Sequence, residues 1–133
     1  MKEYDENLLQ KVLQEYELDF IVLFGSYAKG QIKKNSDIDI AIKKEGGLEL
    51  KDYSEIQSKL AKIFNIKDTK IGLVEILHLS PILMWQIAKY GQFLAGNPLK
   101  FKKFQLYAIK KYFDTQKFRN LTKRYIFQNL YAQ

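Results

Sequence analysis

Phe20-Ile21-Val22-Leu23-Phe24 is a run of five large apolar residues that stops abruptly at Gly25-Ser26. A strand of that composition is covered on both of its faces, so the chain must place further layers above and below a sheet. With 133 residues, 47% of them hydrophobic, there is material for one real core and too little for two. The expectation is a single domain over 1–133, with a core at 1–97 and a tail at 98–133.

Around that strand the spacing of apolar residues predicts the other elements. Leu8, Leu9, Val12, Leu13 and Tyr16 recur at helical spacing after Asp5, which has the chemistry of an N-cap. Residues 27–34 carry turn signals and little periodicity, so a short helical turn or loop is expected there. Asp37-Ile38-Asp39-Ile40-Ala41-Ile42 alternates strictly, the period of a strand. A turn at 43–47 leads to a helix marked by Leu50, Tyr53, Ile56, Leu60 and Phe64. Residues 71–77 read as a third strand, Ser80-Pro81 as the N-cap and first position of a helix reaching about Tyr90, and the chain is helical in composition from Pro98 onward. Strands and helices alternate, which makes the fold class α/β or α+β.

Composition excludes several chemistries. There is no cysteine, hence no disulfide, thiolate metal site or cysteine nucleophile, in keeping with a reducing cytoplasm. No run approaches the roughly 20 apolar residues of a membrane span, so no membrane partner is expected. The net charge of +7 is not spread evenly: the tail from 99 to 133 holds nine Lys/Arg against Asp114 alone, and the remainder is about neutral. A solvated basic helix face accounts for that, with nucleic-acid contact as a secondary reading. Nine of the 19 aromatic residues also lie in the tail, more than one stripe against a small core requires, which points to a partner.

The chemistry centres on Asp37 and Asp39. Carboxylates at i and i+2 of a strand project to one side and repel each other unless a cation lies between them. Hard cations such as Mg²⁺ are held by one or two carboxylates plus substrate phosphates. Alone, such a pair is more often two exposed strand carboxylates. It means more beside Gly25-Ser26, where glycine lets backbone approach a phosphate and a hydroxyl with following amides can bind its oxygens. Together they make a site for a metal–triphosphate. The segment from Gly25 to Gly30 matches part of a P-loop, but Gln31-Ile32 stands where Lys and Ser/Thr are required, so that reading is rejected. His78, the single histidine, lacks metal-ligand partners in the sequence pattern. Two-metal chemistry calls for a further carboxylate; Glu75, in an otherwise apolar strand, is the candidate, with a strand-end surface glutamate as the other reading. Asp68 sits in a Lys-rich turn and suits the role less well.

Gly25-Ser26, ten residues, then Asp37-Ile38-Asp39 resembles the signature of the DNA polymerase beta-like nucleotidyltransferase superfamily. More closely, Leu23-Phe24-Gly25-Ser26-Tyr27-Ala28-Lys29-Gly30 with Asn35-Ser36-Asp37-Ile38-Asp39-Ile40-Ala41 is similar to the minimal nucleotidyltransferase antitoxins encoded beside HEPN-domain toxins. The resemblance implies a small mixed sheet flanked by helices with a helical C-terminal tail, and residues 1–97 as the catalytic core. It implies that Asp37, Asp39 and Glu75 bind two Mg²⁺, that Gly25 and Ser26 hold the triphosphate of ATP, and that Lys29 contributes a phosphate contact. The implied activity is transfer of AMP to a tyrosine of a cognate HEPN ribonuclease toxin. Three positions depart from the family pattern: Tyr27 and Lys29 stand where arginines are common, and Gly72 where a further acid is common. Two other functions stay open: transfer to a small-molecule or RNA hydroxyl, and an antitoxin that neutralises by binding alone.

Overall fold

The computed structural model describes residues 4–25 and 37–131, with side chains through 129. Helix α1 (Glu6–Glu15) is followed by β1 (Phe20–Phe24), β2 (Ile38–Lys43), α2 (Leu50–Phe64), β3 (Ile71–Glu75), α3 (Pro81–Tyr90), β4 (Gln92–Gly96) and α4 (Pro98–Tyr131). Short 3-10 turns at Asp68–Lys70 and Ile76–His78 flank β3. The expected third strand is therefore shorter than 71–77, ending at Glu75.

The caps behave as their chemistry dictates. The Asp5 carboxylate accepts from the Asn7 and Leu8 amides at 2.9 and 3.3 Å, and the Ser80 hydroxyl accepts from Leu83 N–H ahead of Pro81. Each satisfies amides that the first helical turn leaves without a partner. α2 stops at Asn65 in the left-handed conformation, φ 56°, a geometry Asn tolerates better than most residues.

The four strands lie in the order β3-β2-β1-β4. β1 is antiparallel to β2 and to β4, whereas β2 and β3 run parallel, joined by the α2 crossover that a parallel pair requires. Alternation along the strands sorts the core into two layers. Ile21, Leu23, Ile38, Ile40, Ile42, Ile71 and Leu73 face α1 and α2. Phe20, Val22 and Ala41 face α3 and α4, where they meet Met84, Ile87, Phe101 and Phe104. The apolar run of β1 is thus divided between both faces, as its composition demands. Phe20 is fully buried with its ring 5.2 Å from Phe101 and 5.8 Å from Phe104; a buried aromatic of this kind contributes about 3–5 kcal/mol.

At the start of β1, Asp19 is buried with a carboxylate that accepts from Lys43 Nζ at 2.9 Å and Lys100 Nζ at 3.0 Å. Its backbone N–H donates to Lys43 O and its carbonyl accepts from Asn97 N–H. One residue thereby joins β1, β2 and the start of α4. Among the described residues, no helix is long and apolar enough to cross a membrane.

Candidate active site

The strand β2 carries Asp39 on the face it shares with Ala41, toward α3 and α4, while Ile38, Ile40 and Ile42 enter the opposite core layer. Asp37 stands just before the strand, two residues away. It is 64% exposed, with Lys70 Nζ 3.7 Å from its carboxylate.

Asp39 occupies a slot made by two missing side chains. Across one ladder it is registered against Phe24, the last residue of β1, and across the other against Gly72 of β3. Gly25, directly after Phe24, has φ +76°, and a Cβ there would overlap Asp39 Oδ2. A Cβ on Gly72 would lie 2.5 Å from Asp39 Oδ1. Glycine on each flank is what leaves room for the carboxylate. Burial, and after it the charge of Asp37, push the Asp39 carboxyl above its ordinary value. Such a pair costs free energy as two anions and loses that cost when a cation lies between them.

This donor set fits one hard divalent cation completed by phosphate oxygens. Among the described residues, no three of His, Cys, Asp and Glu converge as a ready-made metal cage. Glu75, expected as the third carboxylate, is not brought to the pair. It is registered against Ile42, three residues along β3 from the Gly72 that faces Asp39. Three residues of strand are about 10 Å, and an odd number reverses the face. Glu75 Oε1 instead accepts the Leu48 N–H at 2.9 Å and lies against Gly47, so it fastens the turn between β2 and α2. Ser26 and Lys29, together with the turn expected at 27–34, lie outside the described residues.

Two features were not anticipated from the sequence. The clearing role of Gly72 follows from strand pairing; the sequence marks it only as a glycine in a largely apolar strand, at a position where the resembled family commonly has an acid. The Asp19–Lys43–Lys100 cluster has a partner 81 residues away, which no local pattern announces. Beside that cluster lies a cavity of about 650 Å³ lined by Lys43, Met84, Lys103, Phe104 and Tyr107 among others. It opens at the β1 start and β2 end of the sheet, opposite the end that bears Asp39.

Residues 7–98 match the polymerase beta nucleotidyltransferase family. The chain is 32% identical over 114 residues to the protein adenylyltransferase MntA of Shewanella oneidensis, covering 84% of this chain and 80% of that one. With the MntA of Aphanizomenon flos-aquae it is 34% identical over 113 residues, covering 79% and 73%. In fold it is similar to a toxin–antitoxin crystal structure with AMP-PNP, with a TM-score of 0.77 and 30% identity over 92% of this chain and 98% of that one. It is also similar to a structure of the tri-AMPylated Shewanella oneidensis HEPN toxin in complex with its MNT antitoxin, with a TM-score of 0.70 and 28% identity over 91% and 94%. A match that spans the whole sheet, with the carboxylate pair inside it, makes this chain a member of the polymerase beta nucleotidyltransferase family, in its group of minimal nucleotidyltransferase antitoxins.

Proposed function

We propose that the protein is an antitoxin that transfers AMP from ATP to a tyrosine hydroxyl of a partner HEPN toxin in the cytoplasm. The observation that supports this most directly is the Asp39 carboxylate held between Gly25 and Gly72 with Asp37 beside it. Asp37 and Asp39 would hold Mg²⁺, which when bound neutralises phosphate charge and polarises the reacting oxygens. Of the two metals the family resemblance implies, this pair accounts for the one its carboxylates can share; Glu75 takes no part.

The chain's own residues do the rest. Gly25, at the end of a rigid strand, opens the backbone to the triphosphate, and Ser26 and Lys29 are assigned to its oxygens. The toxin tyrosine oxygen attacks the α-phosphorus in line, forming an O–P bond as the bond to the β-phosphate oxygen breaks and pyrophosphate leaves. Its proton passes to a carboxylate oxygen of Asp39, which the flanking Gly25 and Gly72 hold in place.

Incubating the protein with Mg²⁺, ATP labelled at the α-phosphate and the toxin is expected to label the toxin. The Asp37→Asn/Asp39→Asn protein, still folded, should transfer nothing; transfer by that variant overturns the reading. A binding-only antitoxin is the second reading, favoured by the convergence of just two carboxylates among the described residues. It predicts that the double variant still inhibits the toxin at one-to-one ratio without nucleotide.

A further inference from the structure

The helix α4 outruns the body it packs on. Its inner part is anchored: Phe101, Phe104 and Ala108 are buried, Gln105 Nε2 donates to Ala88 O, and Tyr112 stacks on Trp85 at 4.7 Å. A last clasp follows, in which Arg119 donates to the Tyr112 carbonyl and to the Thr115 hydroxyl. From 120 to 129 every side chain is exposed. The helix continues for sixteen residues past Thr115, about 24 Å.

That arm is not built for water. Phe118 is 73% exposed and Tyr125 67%, with Phe113, Leu121, Ile126 and Phe127 also open. A solvated helix carries polar residues at such positions, and a helical arm of this length is marginal in water without a surface to pack on. The exposed residues also have order. Tyr107, Asp114, Phe118, Leu121 and Tyr125 follow one another by steps of seven, four, three and four, which places them on one line along the helix.

We infer that this line, from Tyr107 to Tyr125, is the docking surface for the protein that the active site modifies. The partner it fits presents an apolar groove rimmed by carboxylates. This rests on the proposed function for the partner's role, while the surface itself rests on α4. Charge selects among occupants. Residues 99–133 carry nine Lys/Arg and one acid, so a second copy of this helix would be repelled and an acidic protein surface attracted. Nucleic acid would also be attracted by charge, and exposed Phe118 and Tyr125 have faces on which bases can stack, but aliphatic Leu121 set between them at helical spacing is how a helix seats in a protein groove, and duplex binding is an outcome of the test below. Solved relatives of this fold are complexes of an antitoxin with its toxin.

The test uses the full chain and the Phe118→Ser/Tyr125→Ser variant, whose changes touch no buried residue, with helix content checked by circular dichroism. Binding of the paired HEPN toxin is measured calorimetrically without nucleotide, AMP-PNP binding is measured separately, and label transfer is followed against toxin concentration. The expected result is toxin binding weakened at least tenfold and a KM for toxin raised as much, with kcat and AMP-PNP affinity unchanged. Added salt should weaken binding by the unaltered chain. Toxin binding that the variant leaves intact overturns the docking surface, even if AMP transfer is normal. So does loss of self-association, or of duplex-oligonucleotide binding, as the variant's only defect. Toxin binding that the variant loses, with no transfer by either protein, sustains the docking surface and removes the catalytic reading instead.

Discussion

Replacing Asp39 by Asn should make the metal-free protein more stable while abolishing nucleotide transfer. The carboxylate at 39 is half-buried beside Asp37 and pairs with no cation among the described residues, whereas Asn is nearly isosteric and fits the same slot between Gly25 and Gly72. Residues two apart on extended chain have Cα atoms about 7 Å apart, which sets the scale for the separation of the two charges in the metal-free protein. Their repulsion is then about 0.6 kcal/mol at the dielectric constant of water and about 2.4 kcal/mol at an effective value of 20. Because Asp37 is 64% exposed with Lys70 nearby, screening reduces the gain to about 1 kcal/mol. In a chain of this length that raises the Tm by about 3–5 °C. The pH dependence has a definite sign. Asp39 has its folded pKa raised above the unfolded value, so its penalty is full above the folded pKa and is relieved as the pH falls through that value. The advantage of the variant should therefore shrink on acidification. Mg²⁺ at about ten times its dissociation constant should stabilise the native wild type by ~1.4 kcal/mol and the variant by much less, which cancels or reverses their order. The assay is thermal unfolding followed by circular dichroism at pH 7.5, with EDTA and then with Mg²⁺ and AMP-PNP. An Asn variant less stable than wild type in EDTA, or a shift with Mg²⁺ equal in both proteins, would refute the account of the pair.

The two flanking glycines should separate backbone cost from site cost. Gly25→Ala meets both a left-handed φ and the Asp39 carboxylate and should lose about 1–2 kcal/mol in urea unfolding; Gly72→Ala has no such φ and should lose under ~1 kcal/mol. Both should reduce AMP transfer on the order of 100-fold by displacing Asp39, and wild-type rates in either would show that the carboxylate is not held as described. Glu75→Gln should transfer AMP at close to the wild-type rate, since its amide oxygen can still accept the Leu48 N–H; a loss of several orders of magnitude in kcat would return Glu75 to the metals. Asp19→Asn should cost roughly 2 kcal/mol, because two half-exposed lysines lose a charge-assisted acceptor. Burial raises the Asp19 carboxyl, but the bonds from Lys43 and Lys100 outweigh it and hold the pKa below its ordinary value. Its contribution is thus present above the unfolded pKa and lost as the pH falls through the folded one, so wild type and variant should converge in stability in acid.

Much of the architecture was legible in residue order because it depends on local physics. The five-residue apolar run demanded two covering layers, and β1 has them. Asp5 and Ser80 announced their helices through side-chain oxygens that reach amides two or three residues on, and the alternation of 38–42 put Asp39 on the face opposite the isoleucines. β4 has no local signature: Gln92-Phe93-Leu94-Ala95-Gly96 has no clear alternation, and it becomes a strand because β1 offers an unpaired edge, which it meets with a register shift between Ile21 and Val22. An acid in an otherwise apolar strand invites a function, which is why the sequence offers Glu75 to the metals, with a strand-end surface glutamate as the other reading. Only the register of β3 against β2 shows where Glu75 stands, since it sets Gly72 opposite Asp39 and leaves Glu75 an odd number of residues further on. Side-chain chemistry and its spacing along the chain thus specified the carboxylate pair and the glycine beside it. Strand pairing, which brings together residues far apart in sequence and whose register comes from the packing of whole layers, decided which other residues can reach that pair.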